Sequence, residues 1–262
     1  MFQTLEIECQ NSVATIWMNR PDRHNAFDET LIAELTAACQ MLDAEDVVRV
    51  VVLAGRGKSF SAGADLNWMR RAAGYTVEEN LRDARALAGM LRTLAELRKP
   101  TIARVHGAAL GGGMGLAAAC DLCIATTAAS FATSEVRFGL IPATIGPYVI
   151  RAIGARQAAR YFQTAERINA PRAYELGLAH EVVEPEALDV RVQELVAALL
   201  AGGPKAQAAA KDLIRAVAGQ PVNDALVEET AQRIAQIRAT PEAQEGLLAF
   251  LEKCPPNWTR GS

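Results

Sequence analysis

The chain has no excess of positive charge: 30 Asp and Glu outnumber 27 Lys and Arg, for a formal net charge of −3. It therefore lacks the basic footprint that nucleic-acid backbones or anionic membranes attract. An acidic ligand would have to be met by local cations. A disulfide framework is also missing, because Cys9, Cys39, Cys120, Cys123 and Cys254 are odd in number and irregular in spacing. Free thiols in a reducing compartment fit that pattern. No run approaches the roughly 20 apolar residues that span a bilayer, and the first residues show no basic stretch followed by an apolar one. These absences predict a cytoplasmic protein with no membrane and no nucleic-acid partner.

Several chemistries are absent as well. Three histidines without a Ser or Cys nucleophile context argue against a hydrolytic triad. Cys120-Asp121-Leu122-Cys123 is a lone CxxC, so buried thiols are expected there and no metal. Gly57-Lys58-Ser59 imitates the end of a phosphate loop, yet the upstream glycine position is Val52. Gly111 to Gly115 lacks the spacing of a dinucleotide fingerprint. His106, beside Gly107, is expected to be structural.

What remains is the balance of a globular protein, half apolar and 22% charged over 262 residues. Strand and helix patterns alternate. Val13 to Met18 is β-rich and stops at Asn19-Arg20-Pro21. Leu31, Ile32, Leu35, Cys39 and Leu42 recur at helical spacing behind Asp28, a candidate N-cap. Val47 to Leu53 reads as a strand covered on both faces. A helix is predicted over about 77–97, then strands over Thr101–Val105 and Cys120–Ala125. Such repeated units predict an α/β core over residues 1–200. From about Pro204 only alanine-rich helical patterns remain, giving a second region, 201–262. Leu226, Val227, Ala231, Ile234 and Ile237 share one helical face there, suited to capping the core or to an oligomer contact. Trp258 to Ser262 is expected to fray.

Two turns rich in small residues follow buried strands: Ser59 to Leu66 and His106 to Gly113. Small residues let a ligand approach the backbone, and helix N-termini offer unpaired N–H groups. Two converging N–H groups would make an oxyanion hole. A tight bend is the structural alternative for either turn alone. Glu135 stands in an apolar segment soon after a buried strand, where partial desolvation would raise its pKa toward use in proton transfer. An ion pair with Arg137 or another basic side chain is the alternative.

Taken in order, Asn19-Arg20-Pro21 through Asn25-Ala26, Phe60 to Leu66, Gly107 to Gly113, Cys120-Asp121, Ser134-Glu135 to Pro142, and Glu245-Gly246 to Lys253 resemble the enoyl-CoA hydratase/isomerase (crotonase) superfamily. The resemblance covers essentially the whole chain. Ser134-Glu135-Val136-Arg137, Pro142-Ala143 and Thr164 to Ile168 look most like bacterial methylglutaconyl-CoA hydratases. The resemblance implies a spiral of ββα turns with a helical C-terminal region that builds trimers, usually paired into hexamers. It implies oxyanion donors at the N–H groups of Ala64 and Gly112, with Glu135 exchanging the α-proton of a CoA thioester. It implies CoA contacts at Arg23, Ala62, Asp65 and Leu66, with Phe250 and Lys253 reaching the CoA of a neighbouring subunit. No cofactor is implied, since CoA arrives with the substrate.

Two positions depart from the family pattern. Hydratases of this family typically carry a first glutamate three residues after the oxyanion glycine, and here that position is Gly115. The departure leaves Glu135 as the one carboxylate: hydration of a 2-enoyl-CoA is the expected reaction, with a single-glutamate isomerase and a non-catalytic acyl-CoA-binding homologue as the alternatives. Gly115 is expected to open space for a bulky or branched acyl group, and Arg137 to pair with a distal carboxylate on it or within the protein. The second departure is Ala143-Thr144-Ile145-Gly146-Pro147, which replaces a glycine-rich run and should alter the pocket wall.

Overall fold

The computed structural model describes residues 2–259. Strand β1 (Leu5–Gln10) pairs antiparallel with β2 (Val13–Met18), followed by helix α1 (Glu29–Ala44). Asp28 caps α1 as its position predicts, accepting from the Leu31 N–H at 2.9 Å. The predicted apolar stripe of α1 is buried. Next come β3 (Val50–Gly55), β4 (Ser59–Ser61), α2 (Leu66–Ala72) and α3 (Val77–Glu96). A Thr76–Glu79 capping box starts α3. The same order repeats with β5 (Thr101–Val105), β6 (Ala108–Leu110) and α4 (Gly112–Ala119). It repeats again with β7 (Leu122–Thr126), β8 (Ser130–Ala132) and α5 (Gly146–Thr164). Then β9 (Ile168–Asn169), α6 (Ala170–Glu175), β10 (Glu181–Val183) and α7 (Leu188–Leu200) close the core. Helices α8 (Pro204–Val217), α9 (Asp224–Arg238) and α10 (Pro241–Leu251) follow.

The fold is a mixed α/β spiral. The first strand of each repeated pair joins a six-stranded sheet ordered β1-β2-β3-β5-β7-β10, and the second joins a four-stranded sheet ordered β4-β6-β8-β9. All six residues of β3 are buried because both of its faces are covered. Val51 and Leu53 join the main core, while Val50 and Val52 face α7 through Leu188, Val192 and Leu200. Helix α4 is apolar all round, and seven of its eight residues are buried, so it runs through the middle of the core.

The expected boundaries shift. The strand predicted from Val47 starts at Val50 and runs to Gly55, and the one predicted from Cys120 starts at Leu122. In the latter case Asp121 is occupied with capping β5, accepting from the Thr101 N–H and hydroxyl. Strand β1, in which Leu5, Ile7 and Cys9 alternate with the exposed Glu6, Glu8 and Gln10, is an element the sequence reading did not predict. The glycine-rich run splits into a strand and a helix rather than forming one turn.

The C-terminal helices dock through polar contacts. Lys211 on α8 pairs with Asp121 at 2.7 Å and donates to the Lys99 carbonyl at 3.1 Å. Arg49 donates to the carbonyls of Gly202 at 2.5 Å and Trp258 at 3.0 Å. Trp258 is therefore not frayed: its indole N–H donates to the Ala201 carbonyl at 3.1 Å. The rest of that expectation, from residue 260 on, lies outside the described residues. The α9 stripe does not cap the core, since Val227, Ala231 and Ile234 are exposed and no residue of α9 is buried. Among the described residues no helix is long and apolar enough to cross a membrane.

Candidate active site

The small sheet gathers the three segments singled out in the sequence. Strands β4, β6 and β8 run parallel, Ser61 beside Ala109 and Leu110 beside Ala132. Their C-terminal ends therefore open at one edge, where parallel sheets commonly bind ligands. Ala64 follows β4, Gly112 follows β6 and Glu135 follows β8. Residues 71 positions apart in the chain thus become neighbours because three short strands share a direction (135 − 64 = 71).

Both turns leave an amide free. Ala64 sits in a parallel bridge with Phe27, in which the Phe27 N–H donates to the Gly63 carbonyl at 2.6 Å and the Asp65 N–H to the Phe27 carbonyl at 2.8 Å. In such a bridge the flanking groups do the bonding, so the N–H of Ala64 points the other way. It has no partner among the described residues. Gly112 is the first residue of α4, and its N–H precedes the first intrahelical bond. It is likewise unpaired, whereas the neighbouring Gly111 N–H donates to the Ala132 carbonyl at 2.8 Å. The turns lie against one another: a methyl on Gly63 would stand 2.7 Å from the Leu110 carbonyl oxygen and 3.5 Å from the Gly112 nitrogen. Gly63 (φ 85°) and Gly111 (φ 51°) adopt backbone conformations that other residues rarely take.

Glu135 opens a short 3₁₀ turn, Glu135–Phe138, and its carboxylate faces the second glycine turn. Its Oε1 lies 3.4 Å from where a methyl on Gly111 would be, and its Oε2 is buried without a hydrogen-bond partner. Burial pushes the Glu135 carboxyl above the ordinary range, opposed only by its own backbone N–H. The ion pair with Arg137 does not form. Arg137 is exposed and donates to the Ala165 carbonyl at 3.0 Å.

Residues 8–261 match the enoyl-CoA hydratase/isomerase family. The chain belongs to that family. Among solved structures, it is 42% identical to an enoyl-CoA hydratase from Shewanella pealeana, at a TM-score of 0.96 over 98% of this chain and 96% of the other. A crotonyl-CoA hydratase of Syntrophomonas wolfei is 32% identical over 98% of each chain. A trans-2-decenoyl-[acyl-carrier-protein] isomerase of Streptococcus mutans is 30% identical, again over 98% of each.

The remaining positions that the family likeness pointed to are only partly brought together. Ala62 and Leu66 flank Ala64; Leu66 is 69% exposed and Ala62 is half-buried. Arg23 is exposed on the 3₁₀ turn Pro21–Arg23. The Asp65 carboxylate is committed within the protein. It is 5% exposed, caps α2 by accepting from the Asn67 N–H at 2.8 Å, and meets Arg20 at 3.3 Å. Those bonds, with burial opposing them, hold it below the usual carboxylate range. Phe250 and Lys253 are exposed at the end of α10, and no hydrogen bond or ion pair joins them to the small-sheet edge among the described residues. Two grooves of about 860 Å³ lie elsewhere, one around Trp17 and Arg104 and one between α1 and α3. The candidate site is thus an open edge in the single chain.

The roles of Arg20 and Phe27 in this enoyl-CoA hydratase/isomerase family member escaped the sequence reading, and Ile145 was expected only as part of an altered pocket wall. Arg20 clamps the loop by donating to the Ala26 carbonyl at 2.5 Å and pairing with Asp28 at 2.9 Å. The Phe27 ring lies against Gly112, where a methyl would come within 2.3 Å of it. Ile145 fills the space beside Gly115, within 2.3 Å of where a methyl there would stand. Gly115 therefore does not open room for a branched acyl group. The two departures from the family pattern meet in space, which their separation of 30 residues concealed (145 − 115 = 30).

Proposed function

We propose that the chain hydrates a 2-enoyl-CoA, with the thioester oxygen held by the N–H groups of Ala64 and Gly112 and the proton moved by Glu135. The observation that carries this reading is the pair of free amides at the ends of β4 and β6, beside a carboxylate with an unpartnered buried oxygen. A thioester accepts a nucleophile at its β-carbon only if negative charge can collect on the carbonyl oxygen. Each amide aimed at that oxygen supplies about 3 kcal/mol. In the cycle we propose, ionised Glu135 takes a proton from water as the water oxygen bonds to the β-carbon. It then returns that proton to the α-carbon as the enolate collapses, leaving the carboxylate as it began. One group serving as base and then acid works best with a pKa near the operating pH. The raised carboxyl of Glu135 supports that assignment.

Kinship with a protein named crotonyl-CoA hydratase supports hydration. CoA comes with the substrate, and no separate cofactor is proposed. Arg23, Ala62, Asp65 and Leu66 would flank the CoA, Asp65 through its main chain because its side chain is engaged. Phe250 and Lys253 would reach a neighbour's CoA in a trimer or a pair of trimers, assembled through residues 201–262. Five free cysteines support a reducing compartment, the cytoplasm.

For the acyl group we propose a distal carboxylate, such as methylglutaconyl-CoA carries; the space beside Gly115, filled by Ile145, lends no support to the branch. Arg137 supports the carboxylate: it is exposed, two residues from Glu135, and paired with no carboxylate among the described residues. Hydration of methylglutaconyl-CoA and crotonyl-CoA by wild type and Arg137→Ala tests it. Selective loss of the former is expected, and an unchanged preference between the two would remove the idea. The single carboxylate favours a second reading, double-bond isomerisation, which needs one proton shuttle. The relative named as an isomerase adds to it. Incubation with a 3-enoyl-CoA in deuterated water separates the readings, since isomerisation moves the bond without adding water.

A further inference from the structure

We infer that Ile145 determines the character of this site: its side chain occupies the place that a side chain at position 115 would take, keeping the region beside Glu135 apolar and limited to one carboxylate. The inference deepens the proposed function and rests on it for its catalytic meaning.

The geometry comes from helix α4. The Gly115 N–H donates to the Gly111 carbonyl at 3.1 Å, so the two residues stand one turn apart on the same side of the helix. Gly111 is the residue whose added methyl would lie 3.4 Å from Glu135 Oε1. Position 115 is thus one helical turn from the glycine that adjoins the carboxylate. The volume beside position 115 is taken. A methyl on Gly115 would stand 2.3 Å from Ile145 Cγ2 and 2.8 Å from its Cβ. Ile145 is 2% exposed and leads into α5, which packs against α4, so it cannot swing out into solvent. The glycine and the isoleucine form one steric unit: position 115 cannot carry a side chain while Ile145 stands beside it.

The surroundings of Glu135 fit this arrangement. No charged side chain is paired with it among the described residues, and Arg137 is turned to the Ala165 carbonyl. Burial is the force that raises its carboxyl. An apolar plug beside the site supplies such burial, where a second acid or a water-filled gap would not. The plug also gives a reason for a single proton carrier that needs no loss of function: an acid at 115 would have no room.

The test reads the Glu135 carboxyl directly, by carbon-13 NMR titration of the full chain, and therefore needs no turnover. In Ile145→Ala, solvent gains access to the vacated space and the Glu135 midpoint moves down toward the ordinary value. In Gly115→Glu with Ile145→Gly, a second carboxylate stands nearby and the midpoint moves up, by about a unit at close range. Thermal melting checks the packing. Gly115→Ala alone lowers Tm by roughly 3–9 °C, and adding Ile145→Gly costs less than the two single losses together. Additive losses, or a Glu135 midpoint unmoved by Ile145→Ala, overturn the inference. With crotonyl-CoA as substrate, the pH profile of kcat/KM should gain a second ionisation in the Gly115→Glu, Ile145→Gly chain. If the midpoints shift as stated while wild type turns over no enoyl-CoA, the proposed function falls and the Ile145 assignment stands.

Discussion

Glu135 is held in surroundings that work against its own charge. A carboxylate in water is stabilised by several hydrogen bonds, and here one oxygen has none and is buried. The cost is a lower stability of the ionised protein, and the gain is a proton that is taken up and released at a higher pH than by an exposed glutamate. This gives two expectations of opposite sign for Glu135→Gln. Turnover should fall by about 10²–10⁴, as steady-state kinetics on an enoyl-CoA would measure. Stability should rise at neutral pH. Because folding raises the pKa, the folded state binds its proton more tightly than the unfolded chain. That contribution is complete below the ordinary value of 4.5 and is lost as pH rises through the folded value. Glutamine cannot ionise, so the Tm advantage of the variant over wild type should be present at pH 7 and shrink toward zero below 4.5. An advantage independent of pH would mean that burial of the charge is not its source.

At the level of elements, the site depends on how short pieces are terminated. Helix α2 begins at Leu66, and its N-cap Asp65, which also meets Arg20, directly follows Ala64. Removing the cap frees the first turn and with it the direction of the Ala64 amide. Asp65→Ala should cost about 1–2 kcal/mol in chemical denaturation and reduce kcat/KM. Asp65→Asn keeps an acceptor for the Asn67 N–H and should retain most of both. Equal losses in the two variants would assign the effect to the Arg20 pair instead. Gly63 carries a comparable burden: at φ 85° with the Leu110 carbonyl beside it, it has no tolerance for a side chain.

At the level of the whole molecule, the C-terminal helices present more apolar surface than they use. On α10, Leu247, Leu248, Phe250 and Leu251 are all more than half exposed, Phe250 at 81%. Contiguous exposure of this kind marks interaction surfaces. With the unused α9 stripe, it is what the proposed trimer would cover. Phe250→Asp with Leu251→Asp should therefore lower the mass seen in sedimentation and raise KM for the CoA substrate, since Phe250 and Lys253 are proposed to serve a neighbour. A wild-type chain that sediments as a monomer would end that reading.

Local order was open to the sequence. The stripe of α1 and the Asp28 cap were visible because each is decided within a few residues, as was the valine-rich strand. So was the suspicion that Glu135 stands among apolar neighbours. The family likeness added the two amides, of Ala64 and Gly112. Boundaries moved where distant groups intervened: Asp121 left its expected strand to bond Thr101, and Trp258 found the Ala201 carbonyl. Only tertiary structure could show that β4, β6 and β8 end at one edge, that Asp65 is spent on capping, or that Gly115 and Ile145 fill one space. These facts depend on pairs of residues far apart in the chain. Sequence patterns report what each residue prefers locally, whereas strand register and side-chain volume are decided by what the fold places opposite.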